Sequence, residues 1–209
     1  MHNCAIIHPL HLELETALFY NFSYYMQHPA SIVAVWEGGM SFHGGLIGSI
    51  VALVWFSQRQ GIPPYQAADL AAAATPIGLG FGRIGNFING ELYGRATDVD
   101  WCMVFPNGGP ACRHPSQLYE AGLEGVFLFT LLWAISKTTP PPGTLFWSFI
   151  AGYGLCRMMV EIVREPDAHL GFILGSFSMG QLLSFPMIVV GVFMLALAYQ
   201  RRVAMQPKS

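Results

Sequence analysis

From Met179 to Tyr199 the sequence carries no charged side chain. A stretch that long and that apolar suits a helix crossing a bilayer, which needs about 20 mostly apolar residues. Pro186 lies inside it, and membrane helices tolerate proline. The rest of the chain agrees with this stretch. Of 209 residues, 53% are hydrophobic and 11% are charged, with a mean hydropathy of +0.45. A soluble domain carries about 25% charged residues, and a disordered chain is poor in apolar ones. A net charge of −2 gives no general attraction to nucleic acid. Four cysteines do not make a disulfide scaffold. The class that remains is an integral membrane protein.

Five segments read as spans: Met40 to Gln58, Gln66 to Phe87, Ser116 to Ser136, Gly143 to Val163 and Met179 to Tyr199. The expected fold is an all-α, polytopic membrane helix bundle forming a single domain over residues 1–209. The second span is rich in alanine and glycine and carries Asp69 and Arg83. Glu120 and Glu124 stand near the start of the third, and Arg157 and Glu161 stand in the fourth. Residues 138–143 (TTPPPG) are a proline-rich turn between the third and fourth spans. The segment 1–29 has no basic region leading into an apolar run, so it is not a secretory signal.

Ten basic residues set the expected orientation. If the tail with Arg201, Arg202 and Lys208 is cytoplasmic, alternation through five spans puts Lys137 and Arg59 on the same side. Arg83, Arg95, Arg113, Arg157 and Arg164 then fall in the outer half of the membrane or just beyond it. The first set flanks helices; the second sits among glycine, asparagine, histidine and glutamate. Anchors on one face and a site on the other are expected.

The same arrangement brings four unusual segments to one depth: 36–45 (WEGGMSFHGG), 82–95 (GRIGNFINGELYGR), 113–120 (RHPSQLYE) and 153–167 (YGLCRMMVEIVREPD). Tyr153, Arg157 and Glu161 are spaced i, i+4, i+8 and share one helical stripe. Arg157 and Glu161 are either a buried pair holding the bundle together or part of a site. An arginine within hydrocarbon costs about 2.5–3.5 kcal/mol on insertion scales, and such residues are functional candidates by default. Arg83 lies three residues before Asn86, with Gly78, Gly80, Gly82 and Gly85 around them. Residues 80–85 formally match a dinucleotide fingerprint, but no strand precedes them. Close helix packing through small residues, with backbone open to a polar ligand, fits better. Two arginines beside such backbone suit a phosphate. His43, between Gly39 and Gly44, is either a polar helix end or a general base. His114, before Pro115, is either a helix-entry residue or a substrate contact. Cys102 and Cys112 share one loop and could pair in an oxidising compartment. The histidines and cysteines show no metal-ligand spacing.

Together these segments resemble prolipoprotein diacylglyceryl transferases of bacteria. The motifs at 38–48 (GGMSFHGGLIG), 82–95, 113–120 and the stripe at 153–161 follow that family's order. The resemblance covers residues 20–205 and leaves residues 1–19 unmatched. It implies transfer of a diacylglyceryl group from phosphatidylglycerol to the lipobox cysteine of a preprolipoprotein, with loss of glycerol phosphate and no cofactor or metal. It implies His43, Arg83, Arg157 and Glu161 as catalytic residues, and Asn86, Glu91, Gly94, Tyr153 and His114 as substrate-binding ones. It implies a bacterial inner-membrane location, with the site toward the outer face and the C-terminus in the cytoplasm. The partners are phosphatidylglycerol, the preprolipoprotein signal peptide and membrane lipid, and nucleic acid is not among them. The family has about seven spans where five are read here, so the chain is expected to lack the first helix and most of the second. An inactive remnant that at most binds anionic lipid is one alternative. A transporter or channel is another, disfavoured because no repeat is present.

Overall fold

The computed structural model describes residues 42–165, 172–173 and 177–205. Segment 36–41, and the expectations resting on residues 1–41, lie outside the described residues. Five helices are described: α1 (Phe42–Gln60), α2 (Pro64–Asn89), α3 (Ser116–Ser136), α4 (Thr144–Val160) and α5 (Met179–Met205). Between α4 and α5 a two-residue strand β1 (Phe172–Ile173) pairs antiparallel with β2 (Phe177–Ser178). The chain divides into two compact units, Met1–Ile62 and Pro63–Ser209. In the first, α1 ends where Ser57 Oγ donates to the carbonyl of Ile62 at 2.7 Å and Arg59 lies over the Trp55 ring.

In the second unit the helix ends follow local chemistry. Pro63 and Pro64 open α2, where a missing N–H costs nothing, and Gly90 closes it in the left-handed region at φ 67°. Pro76 sits buried inside α2. Asp69 on α2 accepts the N–H of Gly143 at 2.7 Å and of Phe146 at 2.8 Å, which caps the start of α4 from a neighbouring helix.

Two helices, Ser116–Ser136 and Gly180–Arg202, are long and apolar enough to cross a membrane, and Thr144–Val160 is apolar but shorter. The sequence suggested five. α2 is present over its full expected length, but alanine, glycine, Asp69 and Arg83 dilute its hydropathy. α4 stops at Val160 rather than at Val163, because the chain tightens into turns there, with Val163 N donating to Val160 O at 3.0 Å. Only 11% of the most apolar stretch of α5 is buried within the protein. Leu183, Phe185, Val192 and Phe193 stand outward on it, as expected of side chains that face lipid.

Small residues bring the helices together. A Cβ built on Gly125 of α3 would lie 2.8 Å from the Cα of Gly80 on α2. One on Gly191 of α5 would lie 2.8 Å from the Cβ of Ala151 on α4. These contacts need glycine, and they are the usual device of helices that associate in lipid. Among the described residues, Gly80 is the one glycine around Arg83 that packs this way; Gly78, Gly82 and Gly85 meet no described atom within 4 Å.

Candidate active site

The site is built around Glu120 in the first turns of α3. Just after it, residues Ala121–Phe127 run as a π-helix before α geometry resumes at Leu128. Such a widened turn is rare and is found mostly at functional sites. Glu120 and Glu124 are both completely buried. The Gly80–Gly125 approach lays α2 against this segment and brings Arg83 within reach of both. Arg83 Nε lies 3.0 Å from Glu120 Oε2, and Arg83 Nη2 donates to Glu124 Oε2 at 3.3 Å.

α4 supplies the other side. Arg157 Nη1 donates to Glu120 Oε1 at 2.6 Å, and its Nη2 lies 3.1 Å from Glu161 Oε2. Glu161 is the C-cap residue of α4 rather than an interior one, yet at φ −60° and ψ −20° it keeps the stripe with Tyr153 and Arg157. Gly180 at the start of α5 leaves room for it, since a Cβ there would stand 2.6 Å from Glu161 Oε2. Arg164 Nε is 3.7 Å from Glu120 Oε1. Three guanidinium groups and three carboxylates therefore form one network, nominally balanced in charge. The pair Arg157–Glu161 foreseen in the sequence is real but incomplete, because Arg157 bridges two carboxylates.

Above the network, the loop between α2 and α3 folds into a cap. The N–H of Gly94 donates to the carbonyl of His114, the N–H of Arg95 to that of Val163, and the N–H of His114 to that of Arg95, at 2.9–3.1 Å. Gly94 pairs with Arg164 and Ala96 with Arg113 as isolated antiparallel bridges. A side chain on Gly94 would lie 2.7 Å from the Cβ of His114 and from the carbonyl oxygen of Val163. The glycine is needed because three chain segments cross there. Ser116 Oγ and Gln117 Nε2 donate to the carbonyls of Leu92 and Glu91, which ties the start of α3 to the cap. Arg113 donates to the carbonyls of Gly108 and Gly94, stacks over Tyr93 and pairs with Glu165. Cys102 and Cys112 form a disulfide across this loop.

The nine site residues expected from the sequence thus separate. Arg83, Arg157 and Glu161 meet in the network. Tyr153, one turn before Arg157, stacks on Phe149. The carbonyl of Asn86 accepts the N–H groups of Gly90 and Glu91 at the end of α2. Gly94 and His114 are cap residues, with His114 Nδ1 3.3 Å from Tyr119 Oη. The Glu91 side chain is exposed and bonds to Asn89 at 3.3 Å, away from the arginines. His43 stands in the first turn of α1, and its side chain lies outside the described residues. Glu120, Glu124, Gln117 and Arg164 were not assigned from sequence. Two carboxylates four residues apart in an apolar span were the available signal.

A sequence profile of the prolipoprotein diacylglyceryl transferase family matches residues 14–197. The phosphatidylglycerol–prolipoprotein diacylglyceryl transferase of Geobacter sulfurreducens is 59% identical over 186 residues, an alignment covering 89% of this chain and 72% of that protein. The proteins of the same name from Vibrio atlanticus and Paramagnetospirillum magneticum are 54% and 55% identical. Each covers 88% of this chain, with 67% and 70% of their own lengths aligned. With its profile matched over nearly the whole chain, the protein belongs to the prolipoprotein diacylglyceryl transferase family, transferases of lipoprotein biogenesis.

Proposed function

We propose that this chain transfers a diacylglyceryl group from phosphatidylglycerol to the lipobox cysteine of a preprolipoprotein, and that Arg83 and Arg157 receive the phosphate. The layering of the network carries this reading. The side chains of Arg83 and Arg157 are 16% and 13% exposed, while those of Glu120 and Glu124 are wholly covered. A phosphodiester entering from the accessible side meets guanidinium first. Planar N–H forks suit phosphate oxygens, and the carboxylates behind them offset the cost of holding the arginines in a low dielectric.

The thiolate sulfur attacks the glyceryl carbon that bears the phosphate. The S–C bond forms, the C–O bond breaks, and glycerol phosphate leaves with the electron pair. The thiolate, not the thiol, is the nucleophile, so the thiol proton must pass to a base; His43 and Glu161 are the candidates. Arg83 and Arg157 stabilise the charge on the departing phosphate. Tyr153 and Asn86 contact the bound lipid, while Glu91, Gly94 and His114 act through the cap that closes over it. The Cys102–Cys112 disulfide supports a cap on the exported, oxidising side, with the C-terminus in the cytoplasm.

The chain reconstituted in phosphatidylglycerol vesicles with a lipobox peptide should yield a thioether-linked diacylglyceryl cysteine, identified by mass spectrometry. Arg83→Gln and Arg157→Gln should each lower its rate by about 100-fold or more, the scale of losing one preorganised donor. Full activity in Arg157→Gln would overturn the phosphate assignment. The pH–rate profiles of His43→Gln and Glu161→Gln decide between the two bases, since only loss of the true base removes the fall in rate on the acid side.

A further inference from the structure

A second polar feature lies at the opposite end of the helices. α5 has 27 residues, roughly 40 Å of helix, which exceeds the ~30 Å hydrocarbon thickness of a bilayer. Its first turn touches Glu161 through Gly180. Its last turns carry Arg201 and Arg202, about 30 Å further along the helix axis. There α5, the proline-rich turn after α3, and the starts of α2 and α4 enclose a cavity of about 400 Å³. Tyr65, Pro141, Trp147 and Leu197 line it together with Arg201 and Arg202.

The charge at this end is one-sided. Arg202 Nη1 donates to the carbonyl of Thr139 at 3.2 Å, which holds its guanidinium against the turn. Lys137 stands nearby in sequence, over the Trp133 ring. Asp69 already accepts from two backbone N–H groups with both of its oxygens. A largely apolar pocket of this size, lined by a lipid-facing helix and by two arginines, fits one ligand chemistry. It matches a phosphodiester headgroup with the upper part of its acyl chains, because basic clusters beside a membrane helix attract anionic lipid.

We infer that this cavity binds an anionic glycerophospholipid in the leaflet opposite the Arg83–Glu120–Arg157 network. The phosphate lies between Arg201 and Arg202, and an acyl chain lies against Trp147 and Leu197. The site does not depend on the proposed transfer and would persist in a chain with no transferase activity.

Tryptophan quenching tests it. The full chain is placed in phosphatidylcholine nanodiscs doped with phosphatidylglycerol brominated on its acyl chains, and Trp147 is isolated as the difference between wild type and Trp147→Phe. Trp147 should be quenched at about a tenfold lower mole fraction of brominated phosphatidylglycerol than of brominated phosphatidylcholine. Arg201→Gln/Arg202→Gln should abolish that preference, Arg201→Lys/Arg202→Lys should retain most of it, and Arg157→Gln should leave it unchanged. Equal quenching by the two lipids in wild type, or an unchanged preference in the double glutamine variant, would sink the proposal. Loss of the preference on adding inorganic phosphate would assign the arginines to free phosphate and overturn the lipid site. Should Trp147→Phe not fold, native mass spectrometry of wild type and the double glutamine variant gives the same decision: the variant should retain one fewer anionic lipid.

Discussion

At the scale of single residues, Glu120 is the centre of the second unit, for it is the carboxylate that two helices' arginines share. Removing one partner of a buried ion pair leaves an uncompensated charge, at a cost of about 3–5 kcal/mol. Glu120→Gln should therefore lower the thermal midpoint in detergent and abolish transfer, because both Arg83 and Arg157 lose their anchor. Glu91→Gln should do far less to stability. Its side chain is exposed and bonds only weakly to Asn89, so a change within about 0.5 kcal/mol is expected. A chemical denaturation series on the two variants checks both. The contrast also shows what the sequence could convey. Glu91 stands in a long motif, which marks it in the sequence. Glu120 and Glu124 stand at the start of an apolar span, and nothing local says that their partners come from α2 and α4. Arg157 and Glu161 were legible because both members of the pair lie on one helical stripe.

At the scale of elements, the network depends on how closely α2 approaches the π-helical part of α3. Gly125 controls that distance, since its Cβ position lies 2.8 Å from backbone that cannot yield. Gly125→Val should push α2 outward and draw Arg83 off Glu120 and Glu124. Strain of roughly 1–3 kcal/mol and loss of transfer are expected. Gly122→Ala, three residues earlier on the same segment, meets nothing within 4 Å and should keep both stability and activity. If Gly125→Val matched Gly122→Ala in transfer rate and thermal midpoint, the close approach would not be what positions Arg83. The glycines of residues 78–85 suggested close packing together with backbone open to a ligand; among the described residues Gly80 makes the packing contact, and Gly78, Gly82 and Gly85 leave open space. Helical periodicity assigns residues to faces; it does not say which face meets a neighbour. The π-helix was equally illegible, because no residue type in Ala121–Phe127 marks a widened turn.

At the scale of the molecule, the described basic residues of the second unit fall into two groups. Arg83, Arg157 and Arg164 join the network, and Arg95 and Arg113 join the cap above it. Lys137, Arg201 and Arg202 gather at the other end. That distribution gives the second unit two chemically different ends without saying which faces the cytoplasm. The orientation proposed above rests on the disulfide: cytosolic thiols are kept reduced, so the proposal puts the Cys102–Cys112 bond on the exported side and the Lys137 end in the cytoplasm. Labelling in bacterial spheroplasts tests this directly. After mild reduction, a membrane-impermeant maleimide added outside should modify Cys102 and Cys112, located by peptide mass. A cysteine placed by Lys137→Cys, on an exposed turn, should react only once the membrane is permeabilised. The opposite pattern would invert the molecule: the network would then face the compartment where the substrate cysteine has not yet been exported, and the proposed transfer would have no accessible thiol.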